Sequence, residues 1–339
     1  MTRSPYLVEK TSVSIVMLKV LLALIPGVIA YVWVFGTGIL ITLALATVTA
    51  IVSEALVLKL RQRPVMPFLL DGSAVVTAWL LALSLPPLAP WWLVVVGTLF
   101  AIVVAKQLYG GLGYNPFNPA MVGYAVLLIS FPVLMTQWPA PGVLAGAHLG
   151  FMDQLAYIFG RHLPAGVTLD AISSATPLDY LKTQLTMQHQ VADITQSSIF
   201  GFMGAKGGEF VTAAYLLGGL YMWQQRIITW HIPVAFLGTL ALMAGVFHLV
   251  DATQYASPQF HLFSGAAMLC AFFIATDPVS GPTTPNGKPI FAAGIAVITL
   301  MIRQYGGYPD GVAFAVLLMN LCVPLIDMYT QPRVFGHDK

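Results

Sequence analysis

The sequence has very little charge. Only 8% of its 339 residues are Asp, Glu, Lys or Arg, whereas 58% are hydrophobic. Soluble domains typically carry about 25% charged residues. This composition therefore excludes an ordinary soluble protein and indicates a chain with many membrane spans in a lipid bilayer. The formal net charge is +2 and comes from few ionisable groups, so nothing supports nucleic-acid binding.

Cysteine is also scarce. The two cysteines, Cys270 and Cys322, both lie in apolar runs. They are too few for a disulfide framework or a Cys-ligated iron–sulfur site, and we expect free thiols. The histidines have no metal-ligand spacing, so no metal site is predicted. The chain also lacks a dinucleotide-binding fingerprint and a soluble catalytic domain, and we expect it to depend on partner subunits for any enzymatic activity.

Ten apolar segments divide the chain. They extend over residues 14–35, 38–58, 72–85, 91–108, 119–135, 208–223, 233–250, 264–275, 290–302 and 312–328. About 20 helical residues are needed to cross a bilayer core, and several of these segments are shorter. Gly or Pro ends the short segments, which indicates broken or re-entrant helices buried in protein. We therefore predict an all-α polytopic membrane protein with about ten segments.

The orientation follows from a cluster of positive charge after the second segment. Lys59, Arg61 and Arg63 occupy this connection, which the positive-inside rule places in the cytoplasm. Both termini are then cytoplasmic and the polar segment 138–208 lies outside, in the periplasm if the cell has two membranes. The predicted units are a first membrane half (1–137), an outer loop (138–208) and a second membrane half (209–339).

Two stretches of the first half recur in the second. The pattern Gly-x-Ala-x3-Ala-x3-Ala occupies 72–82 and again 265–275, and the stretch 119–128 matches 309–318. An odd number of crossings separates the copies, so they run in opposite directions and form an inverted repeat of five segments each. Small residues at every fourth position, taken alone, are explained by close helix packing. Two matched pairs in the same order favour the repeat.

The outer loop contains a helix start at Thr176-Pro177-Leu178-Asp179. Thr176 suits the N-cap, Pro177 the first helical position and Asp179 the third. An ordinary capped surface helix explains this pattern by itself. A phosphate joined to Thr176 would face the positive end of that helix and its free N–H groups, and Arg161 and Lys182 are candidates to neutralise it.

The residues before Thr176 complete a motif, Asp170-x-x-Ser173-x-Ala175-Thr176. It resembles the flavinylation motif of a family that comprises the D subunit of the Rnf/Rsx-type ion-translocating electron-transport complex and the B subunit of the sodium-translocating NADH:quinone reductase. Two longer stretches, 106–121 (KQLYGGLGYNPFNPAM) and 306–314 (GGYPDGVAF), are similar to its signature stretches. The Rnf/Rsx-type member is the closer match, because only a short segment precedes the first span.

The resemblance implies two flavins. A secreted flavin transferase would join FMN to Thr176 through a phosphoester, and a non-covalent riboflavin would bind within the membrane part. Asn115, Asn118 and Asp310 are candidates for the riboflavin site. Asn118 followed by Pro119 is equally a helix cap and first helical position.

The resemblance also implies a function. The chain would be a membrane flavoprotein subunit of an ion-translocating oxidoreductase in the inner (cytoplasmic) membrane, inactive alone. Its partners would include a periplasmic FMN-bearing G-type subunit and membrane A/E-type subunits, and electron transfer would be coupled to Na⁺ or H⁺ movement. Asp71 and Asp277 are candidates for the ion path, although acids at segment ends are also typical of membrane interfaces.

Two other functions stay open. An inverted repeat with re-entrant segments is a transporter architecture, and the family's fold is thought to resemble urea-channel-like proteins, so a small-solute channel is the alternative. Only the outer loop distinguishes the two, because a simple channel has no need of it. A purely structural assembly subunit is the third hypothesis, and it predicts that Thr176→Ala leaves complex activity intact.

Overall fold

A computed structural model of the chain describes residues 12–332; the predicted cytoplasmic termini, 1–11 and 333–339, lie outside that range. The described chain is mostly helical and has one two-stranded sheet. Four of its helices are long and apolar enough to cross a membrane. The predicted all-α polytopic fold is confirmed.

The helices of the first half are α1 (Val13–Phe35), α2 (Gly38–Leu60), α3 (Val65–Leu69), α4 (Ser73–Ser84), α5 (Trp91–Leu99, continued as a π-helix over Phe100–Gln107), α6 (Pro119–Ser130) and α7 (Pro132–Thr136). Those of the second half are α12 (Gly208–Gln224), α13 (His231–Val250), α14 (Pro258–Phe263), α15 (Ala267–Leu269, continued as a π-helix over Cys270–Ile274), α16 (Gly287–Tyr305) and α17 (Val312–Thr330). The ten predicted segments all correspond to helices.

One predicted segment is interrupted. The sequence predicts a continuous segment over 119–135, but α6 ends at Ser130 and a separate short helix begins at Pro132. Phe131 between them has φ −135° and ψ 54°. The ring of Pro132 disfavours a helical conformation of the preceding residue and supplies no N–H for the helical ladder. The break therefore follows from the proline.

The two halves contact each other along α1 and α12, where glycines permit a close crossing. The Gly218 α-carbon lies directly against the Ala23 carbonyl, and Gly27 lies against the Tyr215 ring. A methyl group at either position would collide with its neighbour. Small residues at a helix crossing allow the backbones to approach closely, and here they join the first helix of one half to the first helix of the other.

Corresponding parts of the halves lie at opposite ends of the molecule. α5 begins at Trp91, which stacks on Phe159 of the loop at 6.4 Å between ring centroids. Lys106 is near the other end of α5, about 25 Å farther along the helix axis. Its counterpart is Arg303, because Gln304-Tyr305-Gly306-Gly307 follows Arg303 as Gln107-Leu108-Tyr109-Gly110-Gly111 follows Lys106. Arg303 is near the end of α16, where the Ile302 carbonyl accepts a hydrogen bond from Lys182 of the loop. The halves therefore run in opposite directions, as the matched stretches predict.

The 138–208 loop is folded and packs onto one end of both halves. β1 (Trp138–Pro139) pairs antiparallel with β2 (Ser173–Ser174). Its helices are α8 (Phe151–Gly160), α9 (Leu169–Ile172), α10 (Pro177–Thr186) and α11 (Val191–Ile194). One small core joins the loop to the first half (Ile41, Leu88, Tyr157, Ile158, Ile172), and a second joins it to the second half (Leu178, Leu181, Val191, Ile194, Ala256, Phe260).

Candidate functional site

A large cavity opens where the two halves and the 138–208 loop meet. The space between the lining residues, with the open solvent at its mouth included, measures about 1290 Å³. Most of the lining is apolar. The titratable or hydroxyl-bearing groups that interrupt it include Tyr31, Tyr124, Thr176, Asp179, Tyr215 and Asp310. A mostly apolar cavity with a few polar groups is typical of cofactor sites.

Thr176 lies on the lining of this cavity and caps α10. Its backbone is extended (φ −68°, ψ 152°), and its hydroxyl oxygen accepts the N–H of Asp179 at 3.3 Å. Pro177 is the first helical residue. The predicted helix start is confirmed. An ester oxygen in place of the hydroxyl could still accept this hydrogen bond, so modification of Thr176 is compatible with the cap.

Lys182 fastens α10 to the second half. Its ammonium group donates to the carbonyls of Ile302 at 3.1 Å and Tyr308 at 2.8 Å, at the C-terminal end of α16 where a cation is favourable. Burial lowers the pKa of Lys182, an effect that neighbouring Asp179 partly offsets. The two hydrogen bonds hold α10, and with it Thr176, at the mouth of the cavity.

The two cations considered for a phosphate therefore have other partners. Lys182 faces α16, and the Arg161 guanidinium lies over the Tyr157 ring at 4.7 Å and donates to the Leu88 carbonyl at 3.4 Å. Neither contacts Thr176. At the start of α10, Pro177 has no N–H and the N–H groups of Asp179 and Tyr180 donate to Thr176 oxygens, so the Leu178 N–H is the one left for a group on Thr176.

The other three residues of the flavinylation motif lie just before the cap. Asp170 is exposed in α9, and the Ser173 hydroxyl donates to the Leu169 carbonyl at 2.9 Å. Ala175 is half-buried between β2 and Thr176. They thus lie on the segment that leads to Thr176.

Asp310 lies in the cavity and holds the start of α15. One carboxylate oxygen accepts Arg303 Nε at 3.2 Å, and the other accepts the N–H of Ala266 at 2.8 Å. Arg303 is buried and also donates to the carbonyls of His261 at 2.7 Å and Ser264 at 3.1 Å. Three charge-assisted hydrogen bonds therefore fix the guanidinium beside the broken helix.

The opposite end of the molecule contains a related arrangement at the start of α4. Lys106 Nζ lies 2.7 Å from Glu54 and donates to the Ser73 hydroxyl at 2.7 Å. Asp71 accepts from the N–H of Ser73 at 2.7 Å. Gln107 donates to the same Glu54 oxygen at 2.6 Å. The ion-path candidate Asp71 therefore acts as a cap for α4 next to a buried ion pair.

Asn115 and Asn118 do not line the cavity that contains Asp310. The Asn118 side chain caps α6 by accepting the Met121 N–H at 3.2 Å and also donates to the Ile274 carbonyl at 3.1 Å, while its backbone N–H donates to Asn320 at 3.1 Å. The Asn115 side chain donates to a nearby backbone carbonyl. The structure thus separates the three riboflavin candidates: Asp310 is in the cavity, and Asn118 joins the two halves.

Asp277 follows α15 and is satisfied locally. Its carboxylate accepts the Val279 N–H at 3.2 Å and the Ser280 hydroxyl at 2.7 Å. It shares no hydrogen-bond partner with Asp71 in the described part of the chain. Within residues 12–332, no group of three or more His, Cys, Asp or Glu residues is placed to hold a metal ion. Cys270 is buried and Cys322 is exposed, both as free thiols.

Fold and site together define a polytopic membrane protein in which two inverted halves and a folded loop line a mostly apolar cavity. The chain belongs to the NQR2, RnfD, RnfE family, whose sequence model matches residues 1–336. This membership confirms the resemblance that the motifs indicate.

Relatives match over nearly their whole length. The D subunit of the ion-translocating oxidoreductase complex of Yersinia pseudotuberculosis serotype O:1b is 56% identical over 343 residues, which cover 98% of this chain and 97% of the relative. The proteins of the same name from Shigella dysenteriae serotype 1 and Escherichia coli O81 are each 53% identical over 344 residues, covering 99% of this chain and 98% of the relative.

Proposed function

We propose that this chain is the D-type subunit of an ion-translocating oxidoreductase complex and carries FMN as a phosphoester on Thr176. The observation that carries the proposal is the position of Thr176, which caps α10 on the lining of a mostly apolar cavity. The chain is inactive alone in this proposal, because its sequence offers no site for a soluble electron donor.

The described residues fit an FMN at this position. The start of α10 offers the backbone N–H of Leu178 and a positive helix end to the phosphate, and the apolar wall of the cavity suits an aromatic ring. When bound, FMN supplies one- and two-electron chemistry. The chain's own groups hold and orient it: Thr176 provides the attachment, Lys182 fixes α10, and Asp310 presents a carboxylate within the cavity.

The proposed orientation puts the 138–208 loop in the periplasm and both termini in the cytoplasm of a cell with an inner membrane. Arg61 and Arg63 support it, because they lie at the end of the molecule away from the loop, where they donate to the carbonyls of Gln107 at 2.7 Å and Gly110 at 3.2 Å. Export of the loop makes Thr176 accessible to a secreted flavin transferase.

The complex supplies the remaining steps. In this proposal the chain assembles with a periplasmic FMN-bearing G-type subunit and membrane A/E-type subunits, and Asn115 and Asn118 would hold a riboflavin, which would supply further redox chemistry within the membrane part. Asp71 and Asp277 take part in Na⁺ or H⁺ movement. Both carboxylates lie where a short helix begins or ends, and this is where inverted-repeat proteins place ion sites.

Two variants test the attachment. Full-length protein is produced together with the flavin transferase, and its intact mass and in-gel flavin fluorescence are measured. We expect one FMN adduct in the wild type and in Thr183→Ala, a control at an exposed position of the same helix, and none in Thr176→Ala. Wild-type protein without an adduct, or an adduct retained in Thr176→Ala, would contradict the proposal.

A further inference from the structure

Helix α8 of the 138–208 loop presents an apolar face to the outside of the protein. Phe151, Met152 and Phe159 are 48%, 71% and 50% exposed, and Ala156 is exposed as well. At 3.6 residues per turn, these positions and the half-buried Leu155 occupy about one half of the helix circumference. Within α8, which the structure describes throughout, this outer half contains no charged or hydrogen-bonding side chain.

The inner half of α8 is buried and includes a polar residue. Gln154 is buried, and its side chain lies against Gly36 and Gly38 in the connection between α1 and α2. Tyr157 and Ile158 are buried beside it. A helix on the surface of a soluble domain turns its apolar residues inward and its polar residues outward. Because α8 exposes phenylalanine and methionine instead, its outer half is not built to face water.

The packing of α8 places it at the edge of the bilayer. Tyr157 and Ile158 share a small core with Ile41, the fourth residue of α2. α2 is one of the helices long and apolar enough to cross a membrane, and Ile41 lies only about 5 Å along its axis from the first residue. α8 is therefore at the height where hydrocarbon meets headgroups, and amphipathic helices that lie in this boundary turn their apolar face toward the acyl chains.

The apolar face of α8 is continuous with the outer surface of a membrane helix. Phe159 stacks on Trp91, with 6.4 Å between ring centroids and 13° between ring planes. Trp91 is the first residue of α5, and both Trp91 and Leu99 at its other end are exposed. Tryptophan at the end of a membrane segment is typical of the lipid interface. The surface that meets lipid along α5 thus extends onto α8.

The charged groups next to this face are already in use. The Asp153 carboxylate accepts the N–H of Gly150 at 3.0 Å, and the Arg161 guanidinium lies over the Tyr157 ring. A protein partner usually meets a polar rim and makes about ten hydrogen bonds across an interface. A lipid surface needs no such partners, and burial of apolar area is sufficient to bind it. The composition of the face therefore favours lipid over a protein subunit.

We infer that α8 is an interfacial helix whose outer half is immersed in the bilayer leaflet on the side of the loop. Ile172 of α9 belongs to the same small core as Tyr157 and Ile158. The immersed helix therefore fixes the height of the segment that leads from α9 to Thr176 relative to the membrane surface. This inference concerns the seating of the loop and holds with or without a flavin on Thr176.

The test measures the surroundings of single nitroxide labels on the full-length chain in liposomes of phosphatidylcholine and phosphatidylglycerol. Labels are attached at Met152→Cys and, separately, at Ala156→Cys, both in the outer half of α8. The background variant is Cys322→Ser, which removes the exposed thiol, while Cys270 is buried. Electron paramagnetic resonance gives the collision rate of each label with oxygen, which concentrates in lipid, and with a water-soluble nickel complex.

The matched control is Met187→Cys. Met187 is a methionine of the same loop with 60% exposure, and its neighbours Thr186 and Gln188 are exposed polar residues. We expect the ratio of oxygen to nickel collisions to be several times higher at positions 152 and 156 than at 187. An equal ratio at the three positions would show that α8 faces water and would overturn the inference. Labels at 152 and 156 that are shielded from both reagents would show that protein covers the face, which would overturn it as well.

Discussion

Lys106 and Arg303 occupy corresponding positions in the two halves, and each contacts both a carboxylate and the start of a short helix. Lys106 pairs with Glu54 and donates to Ser73 at the start of α4. Arg303 pairs with Asp310, which accepts the first free N–H of α15. Because the halves are inverted, these two ion pairs, of which only Lys106–Glu54 is buried on both sides, lie at opposite ends of the molecule, and each fixes one broken helix.

The pair at Lys106 gives the first prediction. Removing one partner of a buried ion pair leaves an uncompensated charge and costs about 3–5 kcal/mol. We expect Lys106→Met to lower the thermal unfolding midpoint of the purified protein clearly. The double variant Lys106→Met, Glu54→Gln removes both charges and should recover much of the loss. A single variant as stable as the double would show that the pair does not act as a charge pair.

The α1–α12 crossing gives the second prediction. Gly218→Ala places a methyl group against the Ala23 carbonyl, and overpacking of this kind costs about 1–3 kcal/mol. Gly238→Ala is the matched control, because it lies in helix α13 with nothing within 4 Å of the added carbon. We expect a lower unfolding midpoint for Gly218→Ala, and an unchanged or higher one for Gly238→Ala. Equal midpoints for the two variants would exclude the close crossing.

The docking of α10 gives the third prediction. Lys182→Met removes the two hydrogen bonds to the end of α16, and we expect faster amide hydrogen exchange over 177–186. Lys206→Met, at an exposed position of the same loop, should leave exchange unchanged. Exchange is measured by mass spectrometry of peptides. Unaltered protection in Lys182→Met would show that packing alone holds α10.

The pKa of Asp179 gives the fourth prediction. Burial raises this pKa above its ordinary value, with a smaller opposing effect of Lys182. The folded protein thus binds this proton more tightly than the unfolded chain does. The resulting stability is complete below the unfolded pKa and is lost as the pH rises through the folded pKa.

Thermal unfolding between about pH 3.5 and 7 measures this effect. Relative to wild type, Asp179→Asn should lose less stability as the pH rises through that range. Asp193→Asn, at an exposed position of α11, should follow the wild type. If the Asp179→Asn profile were parallel to that of the wild type, the carboxyl would not be the group responsible.

Local features are predictable from the sequence, and long-range pairings are not. The caps at Thr176 and Asn118 are predictable because each is a polar residue directly before a proline. The break at Phe131 is predictable because Pro132 follows it. The contact between Arg303, Asp310 and Ala266 depends on how α15 and α16 pack, which no local pattern encodes. In the sequence Lys182 resembles a surface charge, because nothing near it in the chain indicates a partner. The two carbonyls that accept its hydrogen bonds lie more than a hundred positions away.

The unpaired hydroxyl of Tyr215 could not be predicted for a related reason. A tyrosine in an apolar helix is usually bonded to a neighbour or placed at the lipid interface, and only the positions of all its neighbours show that its hydroxyl has none. Asp310 is a candidate for the riboflavin site because of its place in the second signature stretch. Its separation from Asn115 and Asn118 depends on how the two halves are arranged, which the sequence does not show.

Two inverted halves of identical sequence would give a molecule whose two ends are equivalent. In this chain the ends already differ in their ion pairs. The 138–208 loop adds a further difference, since it covers one end and no second copy of it occurs in residues 12–332. Transport in one direction requires ends that differ, and a single unrepeated insertion at the junction contributes to that difference here.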